Sequence, residues 1–159
     1  MLSKIGNGKV DMVNVSNKGE VHRLAVAVGR IILRPETIKA IKEGKVEKGD
    51  VLTIAKLAGI LAAKYTPYII PLCHQIPLTH VDISFKLGEN YIEVWVKVEA
   101  ISRTGVEMEA LTSLSVTLLT IWDMVKKYEK DEKGQYPYTK IEEVRVLRKF
   151  KEGFKRAED

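Results

Sequence analysis

Three short stretches of this chain carry side chains able to do chemistry. The segment Pro71-Leu72-Cys73-His74-Gln75-Ile76-Pro77 holds the one cysteine and one of the three histidines. A proline at each end removes a backbone donor and disfavours helix just before it, which predicts a stiff, irregular link for Leu72 to Ile76. Such a link holds its side chains still. In the second stretch, Thr104-Gly105-Val106-Glu107-Met108-Glu109, two acids flank a methionine. Acids are ordinary at the positive end of a helix, yet a thioether lying on a planar ring beside a carboxylate that accepts an N–H pair also suits guanine. The third is Asp123 with Lys126, three residues apart and so on one helix face. An exposed pair of this kind contributes little; inside a pocket the lysine donates protons, the aspartate accepts them, and each sets the other's pKa. Lys48 and Lys149 add cations near the ends of elements.

Zinc is a poor match for Cys73, His74 and His80, because there is no second cysteine and the spacing fits no known ligand pattern. The expectation is no metal. For Cys73 the plain role is a small packed thiol. For His74 a packed role and a binding or acid/base role are equally open.

These groups need elements to position them. Residues 1–20 are expected to form an extended lead-in. HRLAVAVGRIIL, His22 to Leu33, predicts a buried strand in which Gly29 permits a bulge or a close backbone approach. Pro35 and Glu36 start a short helix running to about Lys42, and Gly44 ends it. Asp50 is placed to cap a longer helix, Val51 to Tyr65, on which Leu52, Ala55, Gly59 and Ala62 form a small-residue face suited to close packing. After the link, Thr79–Leu87 and Tyr91–Val98 alternate polar and apolar residues about Gly88-Glu89-Asn90, the signature of a hairpin. Ile101 to Gly105 is expected to turn. Val106 to Tyr128 is the longest helical pattern, with Thr104 as its cap and Glu107 as the partner in a capping box. Tyr138 to Phe150 alternates as a last strand, leaving 151–159 as a flexible tail.

With the short Pro35 helix treated as a connection, the order is strand, helix, strand, strand, helix, strand. Right-handed crossovers make this an α+β, ferredoxin-like split sandwich, with an antiparallel sheet and both helices on one face. A single domain over residues 1–159 is expected, since 159 residues can bury a core and no linker interrupts them.

Composition narrows the partners. The net charge of +5 argues weakly for an anion, and the 30% of charged residues mix both signs. Phosphate on a small molecule fits as well as phosphate on a polymer. A ferredoxin-like sheet can bind RNA, and Tyr91 and Trp95 could stack bases, but the RNP aromatic motif is absent, so no nucleic-acid partner is expected. The longest apolar runs are interrupted by Lys56 and Lys64, and MLSKIGNGKVDMV lacks the uninterrupted apolar stretch of a secretory signal; no membrane association and a cytoplasmic, reducing setting are expected.

Taken together, MVNVSNKGEVHR at 12–23, KGDVLTIAKLAGI at 48–60, IPLCH at 70–74, TGVEMEALT at 104–112 and IWDMVKK at 121–127 resemble the molybdenum cofactor biosynthesis protein C family, the cyclic pyranopterin monophosphate synthases. The matching segments span nearly the whole chain. The resemblance implies a ferredoxin-like subunit in a hexamer built as a trimer of dimers. It implies a lyase that converts 3′,8-cyclo-7,8-dihydroguanosine 5′-triphosphate into cyclic pyranopterin monophosphate and releases pyrophosphate. Asp123 and Lys126 match the family's catalytic pair, and Lys48 a further essential lysine. Leu72, Cys73, His74, Glu107, Met108 and Glu109 match substrate-binding segments. Arg23 and Lys18 fall in a basic segment expected to meet phosphates, and Lys149 keeps the place of the family's tail lysine as a further substrate-binding residue. No resident cofactor is implied, with Mg²⁺ at most accompanying the triphosphate.

Two departures from the family pattern stand out: Asn14 takes the place of an aspartate, and the glycine-rich tail after the last strand is replaced by Lys149-Phe150-Lys151-Glu152-Gly153-Phe154-Lys155. Spacing adds one constraint. Glu107 and Asp123 are sixteen residues apart on one helix, about 24 Å at 1.5 Å per residue. A small substrate touching both would require two chains, so active sites at subunit interfaces are expected.

Overall fold

The computed structural model describes residues 6 and 8–153. Its elements in chain order are β1 (Val21–Ile32), α1 (Pro35–Lys42), α2 (Val51–Ile69), β2 (Leu78–Leu87), β3 (Tyr91–Ser102), α3 (Glu107–Glu129) and β4 (Lys140–Gly153). The four strands form one antiparallel sheet in the order β2-β3-β1-β4. This is the ferredoxin-like α+β arrangement expected from the element order.

Strict alternation builds the sheet. On β3, Ile92, Val94, Val96, Val98 and Ala100 are fully buried beneath the helices, while Tyr91, Glu93, Trp95, Lys97 and Glu99 point to the other face. On β1 the helix-side positions are Ala25, Ala27, Gly29 and Ile31. Small residues there let α3 approach closely. A side chain at Gly29 would lie 3.1 Å from Val144 and 3.3 Å from Leu118, and the β1/β4 register shifts at this point. The bulge predicted for Gly29 is present, and it coincides with Glu143 at φ 58° on β4.

Local signals account for most helix ends. Pro35 occupies the first turn of α1 and Gly44 follows its end at φ +64°. Asp50 caps α2 by accepting from Thr53 N at 3.2 Å and from the Thr53 hydroxyl at 2.9 Å. The expected cap of α3 is absent. Val106 is its N-cap without a side-chain bond, the Thr104 carbonyl accepts from Ser102, and the Glu107 carboxylate pairs with Lys149 at 3.2 Å. A distant lysine thus takes the acid that the local motif would have used.

Three elements outrun their expected ends. α2 continues through Pro67 to Ile69, because the Thr66 hydroxyl bonds Ala62 O at 2.9 Å and Ile70 N bonds Thr66 O at 2.8 Å around the missing proline donor. β3 runs on through Ile101 to Ser102, since β1 extends back to Val21 and offers these residues partners. Likewise β4 continues to Gly153, opposite Val21, so the first three residues of the expected flexible tail are strand. The rest of that tail, 154–159, and residues 1–5 and 7 of the lead-in lie outside the described residues. From residue 9 to 20 the lead-in contains no helix or strand, as expected.

α3 is the core helix, with Ala110, Leu114, Leu118, Ile121 and Val125 fully buried. It carries no charged residue between Glu109 and Asp123. Among the described residues it alone is long and apolar enough to cross a membrane by length and composition. The expectation that no run would qualify overlooked this helix, whose apolar surface is used to cover the sheet.

The small-residue face of α2 packs closely, at Gly59 against α3 and against Ile83 of the sheet. A Cβ at Gly59 would collide with the Thr117 hydroxyl and lie 2.5 Å from Ile83 Cδ1. Alanine gains about 1 kcal/mol of helix propensity over glycine, whereas overpacking a core costs about 1–3 kcal/mol. Gly59→Ala is therefore expected to lower stability despite the better helix former, read as an earlier urea midpoint.

Candidate functional site

The groups singled out by residue type collect at the two ends of α3. At its N-terminal end, Leu72, Cys73 and His74 from the α2–β2 link, Glu107, Met108 and Glu109 from the first turn of α3, and Lys18 from the lead-in line one cavity of about 530 Å³. Lys149 reaches the same end through its ion pair with Glu107. Arg23 does not line the cavity. It donates to the Arg103 carbonyl at 3.4 Å.

Beyond Lys18, residue types gave no hint of the lead-in's part in this cavity. Asp11, Val13 and Val15 line it, and the segment is held from two sides. His74 Nε2–H donates to the Val13 carbonyl, and Arg103 donates to the Ser16 carbonyl at 2.9 Å. In the first of these contacts the His74 ring holds the lead-in at the cavity, and because a carbonyl only accepts, its Nε2 carries the proton. Asn14, the residue that departs from the family's aspartate, accepts from Ser16 N at 2.9 Å and shapes a local turn.

Within this cavity Glu109 is unusual. It is 3% exposed, and its Oε2 has no hydrogen-bond partner. Burial, with a smaller push from the Glu107 charge, raises its pKa to about 7. The half-buried Cys73 thiol is pushed up too, by desolvation and then by the charge of Glu109, so it is protonated and a poor nucleophile at neutral pH.

At the C-terminal end of α3, Lys48, Asp123 and Lys126 meet. The Lys48 ammonium donates to Asp123 Oδ2 and to the Asp123 carbonyl, both at 3.0 Å, while Lys126 reaches Oδ1 at 3.1 Å. Lys48 and then Lys126 hold the Asp123 carboxyl below its usual range. One carboxylate thus carries two ammonium groups beside a cavity of about 250 Å³, whose other walls include Glu47, Met124, Lys127, Tyr128 and Lys130. The two cavities share no residue.

The sequence profile of the MoaC family matches residues 12–152. This chain belongs to the MoaC family. A Pyrococcus furiosus protein named "Probable cyclic pyranopterin monophosphate synthase" is 65% identical over 151 residues, covering 95% of this chain and 97% of the relative. Proteins of the same name from Sulfurisphaera tokodaii, 61% identical over 140 residues (88% and 93% covered), and from Methanococcoides burtonii, 54% identical over 151 residues (95% of each), extend the similarity. The family membership therefore covers both ends of α3 and the segments around them.

Glu109 yields a signed pH prediction. Its folded pKa of about 7 lies above the unfolded value, so between roughly pH 4.5 and 7 the folded state binds the extra proton and stability falls as pH rises. Fully developed, this amounts to about 3 kcal/mol. Glu109→Gln removes the titrating group, so its melting temperature relative to wild type is expected to rise from pH 4.5 to 7 and then level off. A pH-independent difference would show that Glu109 does not titrate in this range.

Proposed function

We infer that this chain is a cyclic pyranopterin monophosphate synthase, a lyase of molybdenum cofactor biosynthesis that rearranges 3′,8-cyclo-7,8-dihydroguanosine 5′-triphosphate with release of pyrophosphate. The observation that carries this reading is the 65% identity to a relative of that name over nearly the whole of both chains. The residue chemistry supports it. Opening a dihydropurine and closing a pyran ring and a cyclic phosphate requires successive proton transfers, for which positioned acids and bases suffice.

In this reading Lys126 donates protons to the reacting nucleotide and Asp123 accepts them. The paired lysines keep Asp123 ionised and ready to accept. Lys48 faces the negative charge that develops as pyrophosphate leaves. The cavity at the other end of α3 holds the purine: Met108 lies on the ring, Glu107 and Glu109 take its N–H groups, and Leu72, Cys73 and His74 form the opposite wall. Lys18, Lys149 and Arg23 supply positive charge toward the phosphates. No resident cofactor is required, and Mg²⁺ would enter with the triphosphate as part of the substrate.

Purine-holding and proton-transfer groups about 24 Å apart along one helix cannot serve one small molecule within one chain. We propose that each active site combines the N-terminal end of α3 from one protomer with the C-terminal end from another, in a hexamer assembled as a trimer of dimers. The exposed apolar stripe of α2, including Ile54, Leu57, Leu61, Tyr65 and Tyr68, supports an extensive contact between copies. A cytoplasmic setting belongs to the same reading.

Two experiments test it. Purified protein is incubated with the cyclic dihydro-GTP substrate and the product oxidised to a fluorescent pterin; Asp123→Asn and Lys126→Ala are expected to lower the rate by about 10²–10⁴-fold while melting near wild type. A folded wild type that makes no pterin overturns the assignment. The shared site is tested by complementation: Asp123→Asn and Glu107→Ala chains, each inactive alone, are expected to regain activity when unfolded and refolded together. Persistent inactivity of the mixed oligomer would sink it.

A further inference from the structure

We propose that Tyr128 is a positioning residue for the Lys48–Asp123–Lys126 cluster: its hydroxyl accepts the Glu47 amide proton and thereby sets the backbone that delivers the Lys48 ammonium to Asp123. The proposal rests on the synthase reading for its catalytic consequence, though not for its geometry.

Lys48 belongs to the α1–α2 connection, outside any helix or strand. A lysine there has four rotatable bonds and about 2 kcal/mol of rotamer entropy to lose, so its two hydrogen bonds to Asp123 depend on where its Cα is held. Val46 buries in the core on one side, and the Gly49 amide closes a tight turn onto the Val46 carbonyl at 3.1 Å on the other. That turn still needs an anchor against α3.

Besides Lys48 itself, two contacts tie Glu47 to the last turn of α3. The ion pair between Glu47 and Lys127 joins two largely exposed side chains, and such pairs contribute little. The other contact is of a different kind. Glu47 N donates to the Tyr128 hydroxyl at 2.8 Å, and the Tyr128 ring packs on the core cluster. A ring with two torsions, seated on the core, is a fixed post. The helix end that carries the post is fixed as well, because Glu129, the next residue, is fully buried and bonded to Arg34 N, Thr37 and Thr139. A rigid acceptor therefore meets the backbone amide of the residue immediately before Lys48.

The groups facing Asp123 are Lys48 from the connection and Lys126 on its own helix, with Glu47, Lys127, Tyr128 and Lys130 around the same cavity. Tyr128→Phe keeps the ring and removes the acceptor. If the hydroxyl places Lys48, the variant weakens the Lys48–Asp123 bonds, and the Asp123 carboxyl should move upward toward its ordinary value. A purely structural role for Tyr128 would leave that titration where it is.

The test measures the Asp123 carboxyl by ¹³C NMR titration and steady-state kinetics in wild type, Tyr128→Phe and a stability control, Ile83→Val, a core change remote from the cluster. The expected result is an upward shift of the Asp123 titration together with a kcat lower on the order of tenfold at nearly unchanged KM in Tyr128→Phe. Ile83→Val should melt earlier and change neither readout. An unchanged Asp123 titration in folded Tyr128→Phe overturns the proposal, whatever happens to kcat. A wild type without turnover whose Asp123 titration still depends on Tyr128 would remove the synthase reading and leave the positioning role supported.

Discussion

The constraint on which much else depends is the buried carboxylate of Glu129. Removing a charge from water is expensive unless its oxygens are satisfied, and here both are. Arg34 N donates to both oxygens at 3.2 Å, Thr139 bonds one at 2.8 Å, and Thr37 bonds the other. These partners come from the start of α1, its first turn and the approach to β4, while the acid itself ends α3. A single side chain therefore joins the two connections that leave and enter the sheet at this end. Once it is in place, α1 has a fixed start, and the α1–α2 connection that follows α1 passes alongside the end of α3. The Lys48 ammonium on Asp123 is a consequence of that route, joining the one Lys126 supplies from α3 itself.

α3 has to do two jobs that pull its sequence in different directions. As the core helix it needs an apolar surface over more than three turns, and the uncharged run from Ala110 to Trp122 provides it. As the bearer of polar chemistry it can use only its ends. Glu107, Met108 and Glu109 occupy the first turn, and Asp123 and Lys126 the last two. The separation of the two cavities is therefore built into the packing: moving either cluster inward would bury charge against the sheet. Sharing a site between copies is the way a helix of this kind can bring both clusters to one ligand.

How much was legible in the sequence follows the range of the interactions involved. The strand alternation, the hairpin about Gly88-Glu89-Asn90 and the Asp50 cap depend on residues close in sequence, and each appears as expected. The cap of α3 depends on whether Glu107 is free, and Lys149 claims it from β4. Strand ends depend on partners, so β3 and β4 lengthen to match Val21. The same holds at the candidate site. Residue chemistry picked out Asp123, Lys126, Lys48 and the acids of α3, but it could not reveal that His74 would hold the Val13 carbonyl sixty-one residues earlier, or that Arg23 would bond the Arg103 carbonyl and not line the cavity. Tyr128 carried no local signal, since its partner is a backbone amide in another connection.

Two carboxylates on the same helix end up with opposite acidities, and their surroundings give the reason. Glu109 is buried in the first turn, without a partner for one oxygen and with Glu107 adding like charge, so its proton is retained up to about pH 7. Asp123 stands in the open with an ammonium on each oxygen, first Lys48 and then Lys126, so its carboxyl is held below its usual range. Near neutrality the first is a proton donor for much of the time and the second an acceptor throughout. Neither state follows from residue type or from helix position, since an acid in the first turn would ordinarily be stabilised in its charged form by the helix dipole. Desolvation at Glu109 outweighs that dipole, while at Asp123 paired cations offset the unfavourable end of the helix. A site assembled from both ends would then hold an acid and a base together, which is the pairing that successive proton transfers require.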